Sequence, residues 1–121
     1  GSPEQLKVSE IHLTYGSSMV SGGVDVSFGS DRVMINRIDK SNARIDSASY
    51  NRLIKTVNYL SLASLKDKYD IESPDSETLW LEVTYDNGQI KRIEDYGGYG
   101  TFGLQNLYRQ FYRLIEAQHW R

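Results

Sequence analysis

The stretch Leu79-Trp80-Leu81-Glu82-Val83-Thr84-Tyr85-Asp86-Asn87-Gly88-Gln89-Ile90-Lys91-Arg92-Ile93-Glu94-Asp95-Tyr96 decides the fold. Leu79, Leu81, Val83 and Tyr85 alternate with Trp80, Glu82 and Thr84, the period of a strand with one buried side. Asp86-Asn87-Gly88 supplies turn residues that tolerate positive φ, so Ile90 to Tyr96 returns as an antiparallel partner. Beyond a glycine-rich bend, Leu104, Leu107, Tyr108, Phe111, Leu114 and Ile115 fall at helical spacing, with Thr101 placed to cap the first turn.

Working outward, the same plan recurs upstream. Val24, Val26 and Phe28 alternate with Asp25 and Ser27, and Gly29-Ser30-Asp31 turns the chain into Arg32 to Ile38, a second hairpin. Tyr50, Leu53, Ile54, Val57 and Leu60 form another helical stripe, with Asp46 or Ser47 at its cap. At the start, Leu6 and Val8 share one parity while Ile11, Leu13 and Tyr15 share the other, which predicts a strand carrying a bulge. Gly16 to Gly23 reads as a flexible connection, and Lys66 to Glu77 as a polar one closed by Ser73-Pro74-Asp75. The order is strand, strand pair, helix, strand pair, helix. Short turns favour hairpins and each helix must bury one apolar stripe. The expectation is therefore an α+β two-layer sandwich, an antiparallel sheet of about four to five strands with both helices on one face.

A chain of 121 residues with 39% hydrophobic and 25% charged residues supports one folded core. Residues 6–121 are read as a single domain, and 1–5, opening Gly1-Ser2, as a tag remnant and disordered start. A formal net charge of -2 argues against general nucleic-acid binding, which needs surplus Lys and Arg to neutralise phosphates. With no cysteine, disulfides, thiolate nucleophiles and thiolate-bound metals are excluded. No apolar run approaches the ~20 residues of a membrane-spanning helix.

Three motif readings fail on context. Gly98-Tyr99-Gly100-Thr101-Phe102-Gly103 matches G-x-G-x-x-G, but the preceding strand belongs to a hairpin and no further parallel strand follows, so dinucleotide binding is not expected. Asp67, Asp70, Glu72, Asp75 and Glu77 lack the spacing and central glycine of a calcium loop. His12 and His119, the only histidines, stand at opposite ends of the chain without a histidine at helical spacing, and Glu94 and Asp95 point to opposite faces of their strand. Neither a catalytic constellation nor a cofactor is expected.

Nine tyrosines and two tryptophans are an enrichment, and several gather with arginines near the C-terminus. Aromatic and Arg side chains dominate binding hot spots, so Tyr96, Tyr99, Thr101, Phe102, Arg109, Tyr112 and Arg113 form the candidate ligand or partner surface. In that group Tyr112, Arg109 and Arg113 are expected to be the more exposed members, while Tyr108 belongs with the core face of its helix. Trp80 occupies the polar side of its strand, and an exposed sheet face is the other candidate surface.

Leu62-Ala63-Ser64-Leu65-Lys66-Asp67-Lys68-Tyr69, with its Leu-x-Asp-x-Tyr element, and Asp95-Tyr96-Gly97-Gly98 resemble an uncharacterised family of bacterial domains of unknown function. That family is frequent in Bacteroidetes, on secreted proteins and envelope lipoproteins. The resemblance implies an extracytoplasmic address, in the periplasm or cell envelope, with membrane attachment only through a lipid anchor outside this sequence. It implies no activity and no functional residues. Physically, Asp67 and Tyr69 are expected to tie the helix exit to the sheet, and Gly97-Gly98 to allow the sharp turn into the last helix.

The expectation is thus a non-catalytic binding or interaction module, a monomer or weak dimer, recognising a protein, peptide or glycan rather than nucleic acid. The competing expectations are a small enzyme with a scattered acid/base site and a structural domain of a larger assembly.

Overall fold

The computed structural model describes residues 7–16, 23–70 and 77–121. Seven strands and two helices follow in the order β1 (Val8–Tyr15), β2 (Val24–Gly29), β3 (Val33–Asn36), β4 (Asn42–Arg44), α1 (Ser47–Leu60), β5 (Lys68–Tyr69), β6 (Thr78–Tyr85), β7 (Ile90–Tyr96) and α2 (Phe102–Ala117), with a 3-10 turn at Leu62–Ser64. They make one sheet of order β4-β3-β2-β1-β6-β7-β5. Every pairing is antiparallel except that of β5 with β7.

The α+β expectation holds, and two features correct it. The sheet has seven strands rather than four or five, and it is mixed rather than purely antiparallel. Both corrections come from short edge strands, β4 with three residues and β5 with two, too brief to show alternation in sequence. The parallel pairing follows from the path of α1. Its 14 residues span about 21 Å of the about 29 Å between the two edge strands, so the helix carries the chain across the helical layer. The 3-10 turn completes the crossing and lays β5 beside β7, and β6 then returns to the middle of the sheet.

Both helices lie on one side. Ile11, Leu13, Val26, Phe28, Met34, Leu81, Val83 and Ile93 from the strands share a single buried cluster with Leu53 and Val57 of α1 and Leu104, Leu107, Phe111 and Leu114 of α2. Phe28 links the layers: its ring lies 6.1 Å from that of Tyr50 in α1 and 5.4 Å from that of Phe111 in α2. The predicted bulge in β1 is present. The β1–β6 register shifts between Val8 and Glu10, so Val8 and Ile11, three residues apart, are both buried. Leu6 lies outside the described residues.

Helix starts match their caps. Asp46 Oδ2 accepts the Ser49 amide at 3.0 Å, and Thr101 Oγ1 accepts that of Leu104 at 3.0 Å. Past α2 the chain folds back, and Asn42 and Arg121 exchange backbone hydrogen bonds of 3.0 and 2.9 Å, covering the free edge of β4.

Candidate functional site

With both helices on one side, no helix of the described residues lies over the outward-pointing side chains of the sheet. Register brings the polar side of three central strands together: Thr14 of β1 pairs with Trp80 of β6, His12 with Glu82, and Glu82 in turn with Arg92 of β7. These five residues line an open depression of ≈ 240 Å³. Its walls are fixed by ion pairs. Arg92 donates to Glu82 Oε2 through Nε at 2.8 Å and approaches it through Nη2 at 2.7 Å. His12 Nε2 lies 2.5 Å from Asp25 Oδ1 of β2. Beside them Arg37 donates from Nε to Ser27 Oγ at 3.0 Å and lies 3.9 Å from Glu10. Trp80 stands among these charges 40% exposed, and its indole N–H has no hydrogen-bond partner among the described residues.

The structure thus gives His12 the acidic partner that the sequence did not reveal. The geometry is not that of a proton relay. A Ser- or Thr-His-Asp relay needs the carboxylate on one ring nitrogen and the hydroxyl on the other. Here Thr14 Oγ1, at 3.4 Å, and Asp25 both face Nε2. The pair anchors the imidazole on the sheet surface.

The residues proposed from sequence at the C-terminal end divide. Tyr99, Arg109 and Tyr112 come together with Gly97, Gly98 and Tyr15 around a second shallow depression of ≈ 240 Å³. Tyr112 is more buried than expected: it packs edge-on against Tyr15 at 6.5 Å, while Tyr108, as expected, is in the core. Thr101 is engaged in capping α2, Phe102 is 89% exposed and Tyr96 ends β7 opposite Thr78. Arg113 lies elsewhere, in a groove between the helices.

Burial also sets a pH dependence here. Desolvation pushes the Tyr112 phenol up to about 12, and burial together with the Asp95 carboxylate holds Tyr108 far above its ordinary value of 10.0. Raised folded-state values mean that this contribution to stability is complete below pH 10. It is lost as pH rises through 10 and beyond 12, where the unfolded chain ionises first. Urea unfolding at pH 9 and pH 11 should therefore show a lower midpoint at pH 11, and Tyr108→Phe should flatten that slope. Equal slopes in the two proteins would contradict the assignment.

A family model described as a domain of unknown function (DUF6438) matches residues 26–115, about three quarters of the chain. The chain belongs to the DUF6438 family. No curated protein and no solved structure matches it. The matched span runs from within β2 to α2, and so takes in Trp80, Glu82 and Arg92, while His12, Thr14 and Asp25 precede it.

In this DUF6438 domain the two short motifs have structural work. Gly97 and Gly98 have φ of 92° and 74°, conformations that L side chains rarely adopt, and they turn the chain from β7 towards α2. Asp95 is fully buried, and its Oδ2 accepts the Tyr108 hydroxyl at 2.8 Å and the Gly100 amide at 2.9 Å. A side chain at Gly100 would start 2.6 Å from that same oxygen. Glu94, on the opposite face, lies 3.9 Å from Lys68, as strand parity requires. In the other motif the Tyr69 hydroxyl accepts the Lys66 amide at 3.2 Å, the expected tie to backbone. Asp67 ties through a side chain instead: Lys91 Nζ donates to its Oδ1 at 2.7 Å and to the Leu65 carbonyl at 2.6 Å.

Proposed function

We propose that this DUF6438 domain is a non-catalytic binding module of the bacterial cell envelope, and that it takes a neutral sugar ring on the open face of its sheet. The observation that carries the reading is Trp80, an exposed indole flanked by side chains already locked in ion pairs. An aromatic face buries the apolar side of a pyranose, while the free indole N–H, Thr14, Glu82 and Arg92 offer both donors and acceptors to its hydroxyls. Charge balance favours a neutral ligand. Glu82 is matched by Arg92, and Asp25 is not among the residues that line the depression, so the lining offers no unpaired carboxylate or guanidinium to select an ion. The envelope address rests on the resemblance carried by Leu65 to Tyr69 and Asp95 to Gly98, to a family common on secreted proteins and lipoproteins.

Calorimetric titration with maltopentaose, cellopentaose and chitopentaose tests the reading. At least one is expected to bind, and Trp80→Ala to weaken it about 30-fold, the loss typical of an aromatic hot spot. Arg92→Lys, which loses the fork on Glu82, should weaken it less. Absence of binding across the panel, or a Trp80→Ala protein that binds as the parent does, would sink the sugar reading.

A further inference from the structure

A depression of ≈ 560 Å³ lies away from the sheet face, between the start of α1 and the second half of α2. Three arginines reach it from three different elements: Arg44 from β4, Arg52 from α1 and Arg113 from α2. All three side chains are exposed, and among the described residues none has a carboxylate within ion-pair distance. The contrast with the sheet face is direct, because Arg37 and Arg92 there are each held by a glutamate. Among the described residues one acid, Asp46, lines the groove, and its carboxylate is engaged with the Ser49 amide as the cap of α1. Three guanidinium groups against one carboxylate leave a formal local surplus of two positive charges in a chain whose net charge is -2.

Like charges brought together on a folded surface repel, and their convergence without acids is stabilised when an anion sits among them. Guanidinium forks fit phosphate or carboxylate oxygens in pairs. The amide end of α1 lies on the same side, with Asp46 at its N-cap and no further acidic residue in its first turn. The end of α2 carries a negative partial charge, which Gln118 blunts by donating from Nε2 to the Leu114 carbonyl at 2.9 Å.

We infer that this groove is a second binding site, independent of the sheet face, for a small polyvalent oxyanion carrying phosphoryl or carboxylate groups. Inorganic pyrophosphate and citrate are the probes, titrated into the full chain by calorimetry, with sodium chloride and acetate at matched ionic strength as controls. The site predicts binding of one or both polyvalent anions above the controls. Pyrophosphate alone would assign the phosphoryl class, citrate alone the carboxylate class. Arg52→Gln and Arg113→Gln are surface changes that keep the fold, checked by circular dichroism, and each should weaken binding about tenfold by removing a charge-assisted contact. Asp46→Asn keeps an N-cap while deleting the one acid and should tighten binding. No binding beyond the controls, or binding unchanged in the Arg52→Gln/Arg113→Gln double variant, would overturn the site.

Discussion

Phe111→Ala is expected to lower the stability of the domain by about 3–5 kcal/mol, the range for truncating a fully buried aromatic side chain. Phe111 is 0% exposed and packs on Phe28, whose ring also meets Tyr50. Removing it opens a cavity where α2 meets β2, in a core whose members Leu104, Leu107 and Ile11 are themselves fully buried and packed. Urea denaturation checks this: the midpoint should fall with the slope unchanged. Phe102→Ala, in the same helix but at a position 89% exposed, is the control and should shift stability by less than about 0.5 kcal/mol. Similar losses in both variants would mean that α2 does not present the Leu104–Leu107–Phe111 stripe to the sheet.

Asp95→Ala is expected to cost about 2–4 kcal/mol, because a buried and a part-buried donor lose their acceptor together. The Tyr108 hydroxyl and the Gly100 amide both converge on Oδ2. Asp95→Asn separates shape from charge. The amide oxygen can replace Oδ2, and Oδ1 is buried without a partner, so a neutral group there loses no hydrogen bond. Its expected cost is about 1 kcal/mol or less. Because the phenol and the carboxylate act as a unit, Asp95→Ala combined with Tyr108→Phe should cost less than the sum of the two, with a coupling of about 0.5–3 kcal/mol in a double-mutant cycle. Strict additivity would show that the bond between them contributes nothing.

Much of this architecture can be read directly from the residues. The two helical stripes, the change of parity in β1 and the hairpin around Asn87-Gly88 are local patterns, and burial reproduces each of them. Edge strands are a different matter. Asn42 to Arg44 and Lys68-Tyr69 are strands because the chain meets free backbone groups at a sheet edge, beside β3 before α1 in the first case and beside β7 after α1 in the second, and nothing in their own composition announces it.

The open-face site was half visible. Glu82 and Arg92 sit symmetrically about the turn at Asn87, so counting outward from Asn87 would have paired them. His12 and Asp25 are separated by a glycine- and serine-rich connection whose length does not fix the register, and their meeting depends on β1 and β2 aligning His12 with Ser27 and Thr14 with Asp25. The C-terminal aromatic group misled in part for a related reason. Arg109 and Arg113 are one helical turn apart in sequence, yet they open onto different depressions, one towards Tyr99 and Tyr112 and the other towards Arg44 and Arg52.

The central claim is that one face of the sheet lies under both helices while the other is bare and carries the ligand site. Because the chain has no cysteine, single cysteines placed in turn at Trp80, Leu81, Glu82 and Val83 along β6 measure it by thiol-labelling rate. Positions 80 and 82 should label freely, and positions 81 and 83 at least about a hundredfold more slowly, only through unfolding. Equal protection at all four positions would show that the outer face is covered too, and would contradict the account.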